Sequence, residues 1–175
     1  YSRGPDSSGQ WFDNNNGIGL AHRRLSILDL SKEGVQPMIS DSRRFIMVFN
    51  GEIYNHLQLR IDLESNFKNI KWRGTSDTET ILKCIELLGI DSTFKLLEGM
   101  FSIGLWDKKN NDLILCRDRL GEKPLYYGWQ GNTFLFSSEL KAIKKHPDFN
   151  KIIDLNSLSL FFKYNYIPTP YSIYK

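Results

Sequence analysis

Residues 100–106, 113–117, 124–129 and 133–137 form four short apolar runs, and polar, hairpin-length loops join the first to the second and the third to the fourth. Those loops, Lys109-Asn110-Asn111-Asp112 and Gln130-Gly131-Asn132, carry turn residues, which implies consecutive antiparallel pairing. Most of the runs are apolar at successive positions, so both faces of the sheets must be covered, by helices or by each other. A layered α+β sandwich follows.

Upstream, residues 17–30 alternate weakly and end in Leu25-Ser26-Ile27-Leu28-Asp29-Leu30, a strand whose Ser26 and Asp29 are not simply surface-facing. Phe45-Ile46-Met47-Val48-Phe49 is a second strand, and it stops at Asn50-Gly51-Glu52. Two readings of that stop stay open. Asn-Gly between apolar runs is a strong hairpin signal. Equally, Glu52 to Arg60 does not alternate, and Tyr54, Leu57 and Ile61 fit a helix over 53–64, so the junction can run from strand to helix. Such a junction leaves backbone N–H groups pointing into a cleft, and a glycine lets a ligand approach them.

Ser76 and Glu79 have capping-box spacing at the start of a helix that Ile81, Leu82, Ile85 and Leu88 continue and Gly89 ends. Further helices are expected at 91–98, 139–145 and 155–163. Ile167-Pro168-Thr169-Pro170 then halts regular structure, as a linker does.

At 175 residues the chain fits one domain, large enough to bury roughly 70% of its unfolded surface without staples. A net charge of +3 from 23 basic and 20 acidic residues is too balanced for nucleic acid or an anionic membrane. Cys84 and Cys116 are far apart, and His22, His56 and His146 are scattered, so no metal pattern exists. The absence of a long apolar run or a signal peptide reads as cytoplasmic. A start at Tyr1, almost on top of Arg3-Gly4-Pro5-Asp6, reads as a fragment.

Arg24, Asn50, Gly51, Glu52 and Asp77 all fall at element ends, where rigid scaffolds present ligand-contacting groups. Singly, each has a structural explanation: a carboxylate such as Asp77 suits any helix start, and Arg24 precedes an apolar strand, where an arginine at a strand start is usually solvated. Together they meet the needs of an amino-acid ligand, with an arginine for the carboxylate and Glu52 and Asp77 for the ammonium. Asn50 and Gly51 can donate to one oxygen. The dense charge of Arg117-Asp118-Arg119-Leu120-Gly121-Glu122-Lys123 reads as a self-compensating ion-pair loop, and the cysteines as buried, inert thiols.

The ordered series Arg3-Gly4-Pro5-Asp6, Leu20-Ala21-His22-Arg23-Arg24-Leu25-Ser26-Ile27, Phe49-Asn50-Gly51-Glu52-Ile53-Tyr54-Asn55 and Ser76-Asp77-Thr78-Glu79 resembles the glutaminase domain of asparagine synthetases. Gly99-Met100-Phe101, Arg117 to Tyr127 and Ser138-Glu139-Leu140-Lys141-Ala142 extend the resemblance over nearly the whole chain. It implies a class II glutamine amidotransferase of the N-terminal nucleophile type, an αββα sandwich of two antiparallel sheets between helical layers. The implied domain is 1–163, with 164–175 starting a linker to an ATP-dependent synthetase domain. By the same resemblance Arg24 holds the glutamine α-carboxylate, the backbone of Leu25, Ser26, Ile27 and Leu28 frames the pocket, Glu52 and Asp77 take the α-amine, and Asn50 and Gly51 form the oxyanion hole.

The implied partners are L-glutamine and the chain's own synthetase domain, reached by an ammonia tunnel, and a homodimer of the parent is compatible with the family. No cofactor is expected in residues 1–175. ATP and Mg belong to the synthetase domain, and no Ser-Gly-Gly-x-Asp-Ser pyrophosphate loop occurs here. The family's Met-Cys-Gly start also lies outside these residues, and Ser2 stands where the family usually has histidine, so the fragment alone is expected to be inactive. Two alternatives remain: the front domain of an amidotransferase with a sugar or ring-closing acceptor, and a nucleophile-less glutamine-binding module.

Overall fold

The computed structural model describes residues 4–25, 29 and 31–175. The chain divides between Lys123 and Pro124 into two compact units. Every strand pair in either unit is antiparallel.

In the first unit β1 (Ser7–Asp13) and β2 (Ile18–Arg24) form a two-stranded ribbon with Ser7 opposite Arg24. Strands β3 (Met38–Ile39), β4 (Phe45–Ile53), β5 (Gly99–Asp107) and β6 (Asp112–Arg117) make a four-stranded sheet in that spatial order. Three helices, α1 (His56–Asn66), α2 (Asp77–Leu88) and α3 (Ile90–Leu96), connect β4 to β5. Alternate residues of the central strands point one way, and Phe45, Met47, Phe49 and Ile53 meet Leu59, Leu63, Ile81 and Ile85 in one buried cluster. Each such side chain contributes about 1.5–3 kcal/mol on burial.

The second unit holds the hairpin of β7 (Tyr126–Gln130) and β8 (Thr133–Ser137), then α4 (Leu140–Ile143) and α5 (Leu155–Tyr164). Asp154 caps α5, accepting from the Ser157 N–H at 3.0 Å. Beyond α5, Tyr174 pairs back on Ile153 as an isolated antiparallel bridge.

Both expected hairpins form. Asp107 faces Asp112 across a four-residue loop that Asn111 closes in the left-handed conformation (φ 56°), and Gln130 faces Thr133 across a two-residue loop whose first residue, Gly131, has the positive φ (59°) a tight primed turn needs. The expected strand at Leu25–Leu30 falls partly on Ser26, Ile27, Leu28 and Leu30, which lie outside the described residues, while Leu25 and Asp29 belong to no strand.

Neither reading of Asn50-Gly51-Glu52 holds in full. The strand runs through it, with Asn50, Gly51 and Glu52 opposite Ser102, Phe101 and Met100, and it turns only at Tyr54-Asn55. Asn55 fixes that turn by donating from Nδ2 to the Leu96 carbonyl at 2.9 Å and accepting from the Glu98 N–H at 3.2 Å. The helix therefore starts at His56 and has a different phase from the one expected. Leu59 and Leu63 face the core, whereas Tyr54, Leu57 and Ile61 are exposed.

Candidate functional site

The outer edge of β4 organises the site. Among the described residues β3 pairs with Ile46 and Met47, and beyond Met47 no described strand pairs with the edge facing away from β5. Side chains fill that role. The Phe49 N–H donates to Gln36 Oε1 at 2.6 Å, the Phe49 carbonyl accepts from His22 Nε2 at 3.1 Å, and the Ile53 N–H donates to Asp77 Oδ2 at 3.1 Å. Backbone groups alternate sides along a strand, so the Gly51 N–H, midway between Phe49 and Ile53, projects from the same edge. The partner strand agrees, because Phe101, opposite Gly51, spends its own N–H and carbonyl on Asp118 across the other side of β5.

Gly51 is also required sterically. A Cβ there would run into the Met100 carbonyl oxygen and lie 2.7 Å from Phe101 Cα. On the facing strand a Cβ at Gly99 would strike the Glu52 carbonyl. The two glycines thus let β4 and β5 close tightly at the end that carries Asn50 and Glu52. Those two side chains are two residues apart and share a face of the sheet.

Asp77 is the first residue of α2. Ser76 caps the helix, its Oγ accepting from the Glu79 N–H at 3.3 Å, but the expected reciprocal bond is replaced. The Glu79 carboxylate instead accepts from the N–H groups of Arg73 (2.7 Å) and Gly74 (3.0 Å). Burial pushes the Asp77 carboxyl up, the Ile53 and Thr78 N–H groups oppose that, and the neighbouring Glu52 carboxylate adds to it. His56 stands in the same field: burial lowers its pKa, while Asp77 and Glu52 pull it back. Two carboxylates that repel one another beside a strand edge are suited to an ammonium group.

Arg24 is buried at the end of β2. Its guanidinium donates to the Ser31 carbonyl at 2.8 Å and to the Asp29 carbonyl, and it packs against Gly34, where a Cβ would collide with it. Asp29 links this arginine to the other half of the site, accepting from Ser31 N–H at 2.8 Å and Thr75 N–H at 2.9 Å. These bonds, Ser31 foremost, hold its carboxyl down at about 2. Of the remaining expected site residues, Leu25 is exposed, and Ser26, Ile27 and Leu28 lie outside the described residues.

Several contributors carry little sequence signal. Gln36 bridges Phe49 to Thr78 Oγ1 (3.3 Å), Arg60 grips the segment before Asp77, and Asp118 pins β5. The charged loop is compensated through backbone instead of through ion pairs. Asp118 accepts from the N–H groups of Phe101, Glu122 and Lys123, while Arg119 donates to the carbonyls of Lys95 and Leu97. Both cysteines are free thiols, and burial pushes Cys84 up to about 11. No helix among the described residues is long and apolar enough to cross a membrane.

The chain belongs to the glutamine amidotransferase domain family, whose model matches residues 1–175. It is 43% identical to an asparagine synthetase (glutamine-hydrolysing) of Methanocaldococcus jannaschii, over 99% of this chain and 36% of that relative. It is 37% identical to asparagine synthetase 3 of Bacillus subtilis, over 91% of this chain and 25% of that relative. The chain thus spans well under half of the relatives it matches. Among solved structures, glutamine phosphoribosylpyrophosphate amidotransferase of B. subtilis superposes with a TM-score of 0.60 at 24% identity, covering 72% of this chain and 28% of that one. That likeness shows the fold, a mixed α+β architecture whose strands pair antiparallel.

Proposed function

We propose that this chain is the glutamine-hydrolysing part of an asparagine synthetase, releasing ammonia from L-glutamine for ATP-dependent amidation of aspartate by a synthetase domain of the parent protein. The observation that carries the reading is the strand end itself. An edge-facing Gly51 N–H adjoins the Asn50 side chain and is followed at once by Glu52 and the Asp77 carboxylate.

In this reading Glu52 and Asp77 take the glutamine α-ammonium, Arg24 takes its α-carboxylate and the backbone from Leu25 to Leu28 frames it. The nucleophile is the thiol of an N-terminal cysteine of the parent, with its own α-amine as base. Cys84 and Cys116 lack a free α-amine, and burial disfavours both thiolates. Sulfur attacks the side-chain carbonyl carbon, the carbonyl electron pair moves onto oxygen, and the α-amine takes the thiol proton. Asn50 Nδ2 and the Gly51 N–H stabilise that oxyanion. Collapse expels the amide nitrogen, which takes the proton and leaves as ammonia. Water then cleaves the thioester, giving glutamate and the free thiol.

On the same reading ammonia travels by an internal tunnel to the synthetase domain, where ATP and Mg bind, and the parent works in the cytoplasm. The test is Asn50→Ala in the full-length protein. Glutaminase kcat should fall about 10²–10³-fold with KM for glutamine little changed. Equal damage to kcat and KM would argue against the oxyanion role, and asparagine formation from glutamine, aspartate and ATP checks the acceptor.

A further inference from the structure

The segment Gly74–Ser76, which leads directly into Asp77, is gripped on both edges of its backbone. From α1, Arg60 donates through Nη1 to the Gly74 carbonyl and through Nη2 to the Ser76 carbonyl, both at 2.9 Å. Its Nε donates to Thr80 Oγ1 at 2.7 Å, its plane lies 4.0 Å over the Trp72 ring, and Glu79 Oε2 sits 3.6 Å from Nη2. On the opposite edge Asp29 Oδ2 accepts from the Thr75 N–H at 2.9 Å. A trans peptide aims the Gly74 carbonyl and the Thr75 N–H in opposite directions, so the two grips oppose each other across one peptide plane. Gly74 leaves no slack, since a Cβ there would lie 2.6 Å from Asp29 Oδ2.

Asp29 is itself fastened to Arg24, whose guanidinium holds the Asp29 and Ser31 carbonyls. An unbroken series of contacts therefore runs from Arg24 through Asp29 and the 74–75 peptide to Arg60. It fixes the place from which Asp77 enters α2. We infer that Asp29 and Arg60 are positioning residues that set the spacing between Arg24 and Asp77, making the site selective for a substrate whose carboxylate and ammonium share one carbon. The inference rests on the proposed roles of Arg24 and Asp77 as the groups that take that carboxylate and that ammonium. Neither positioning residue touches the Asn50-Gly51 strand end, so the effect falls on recognition of the α-substituents and not on the oxyanion.

The experiment uses the full-length protein with Asp29→Ala, Arg60→Ala and Arg60→Lys. Hydrolysis of L-glutamine is compared with hydrolysis of glutaramate, the same amide without the α-amine. The ratio of the two kcat/KM values is independent of how much of each preparation is folded, which removes the ambiguity of a damaged variant. Loss of a positioned charge-assisted contact predicts that the preference for L-glutamine falls about tenfold in both alanine variants. Arg60→Lys, which can reach one carbonyl but cannot span two, should fall between them and the unsubstituted protein. A preference within about twofold of the unsubstituted value in all three, with both substrates losing equally, would overturn the inference and leave Asp29 and Arg60 as structural residues. An unsubstituted protein that turns over no glutamine would overturn the underlying reading, and the inference with it.

Discussion

Gly51→Ala tests packing and chemistry at one atom. The added Cβ would lie 2.7 Å from Phe101 Cα and 2.9 Å from Phe101 Cβ, with the Met100 carbonyl oxygen closer still. Relaxed carbon contacts lie near ~3.5–4.0 Å, so β4 and β5 must part by on the order of an ångström. The obstructing atoms are two backbone atoms and the Phe101 Cβ, in a strand that is almost wholly buried, and no side-chain rotation moves any of them. Overpacking of this kind costs about 1–3 kcal/mol. The same movement shifts the Gly51 N–H, and a misplacement of ~1 Å at a reacting centre can cost about 10²-fold in rate. Gly99→Ala is the comparison: its Cβ strikes the Glu52 carbonyl and lies 3.0 Å from Ile53 Cα, and a φ of 155° adds backbone strain, while no proposed donor is altered. Denaturant unfolding and steady-state glutaminase assays on the full-length protein should show at least as large a loss of stability for Gly99→Ala, but a far larger drop in kcat for Gly51→Ala. Equal losses of kcat in the two variants would refute the aimed N–H.

Two further outcomes follow from the charges. Because burial raises the Asp77 carboxyl above 3.8, acidification discharges it earlier than an ordinary aspartate. Glutamine KM should therefore rise as pH falls, starting at a higher pH than an ordinary aspartate would give, and Asp77→Asn should flatten that profile at a high KM. A KM that stays flat down to the usual aspartate range would contradict the ammonium role. Away from the site, Arg44 holds the buried Asp107 carboxylate through Nε at 2.8 Å and Nη2 at 2.6 Å, which lowers the Asp107 pKa. A lowered folded-state value gives stability that is present above the unfolded value and is lost as pH falls through the folded one. Arg44→Ala should destabilise the protein at neutral pH and do so less in acid, measured by urea unfolding at several pH values.

The elements legible in the sequence are those with a local cause. Ser76 and Gly89 bound α2 because a side-chain cap and a positive φ are written into those residue types. The β5–β6 and β7–β8 hairpins follow from their turns. By contrast, β1 reads as Ser-Ser-Gly-Gln-Trp-Phe-Asp, and its pairing with β2 comes from long-range hydrogen bonds that leave no period in the sequence. Glu79 was visible as a cap but not as the acceptor for Arg73 and Gly74, since its destination depends on how the preceding loop folds back. Arg60 was invisible for a related reason. On its helix it is one polar residue among several, and only the tertiary fold brings the Gly74 and Ser76 carbonyls to its fork.

The continuation of β4 through Asn50-Gly51-Glu52 bears on the proposed oxyanion role more directly than a turn would. An unpartnered strand edge is a liability, since each buried N–H or carbonyl without a bond costs about 1–3 kcal/mol. At Phe49 and Ile53 the protein removes that cost with Gln36, His22 and Asp77. At Gly51, between them, the edge N–H is held in register by the neighbours' bonds and by the tight contact with Phe101. A donor fixed by its surroundings pays little reorganisation when negative charge develops in front of it, which is the condition for electrostatic stabilisation of an oxyanion. A mobile hairpin turn would have offered the same N–H without that rigidity. The strand edge therefore supports the oxyanion role more strongly than the Asn-Gly dipeptide does by itself.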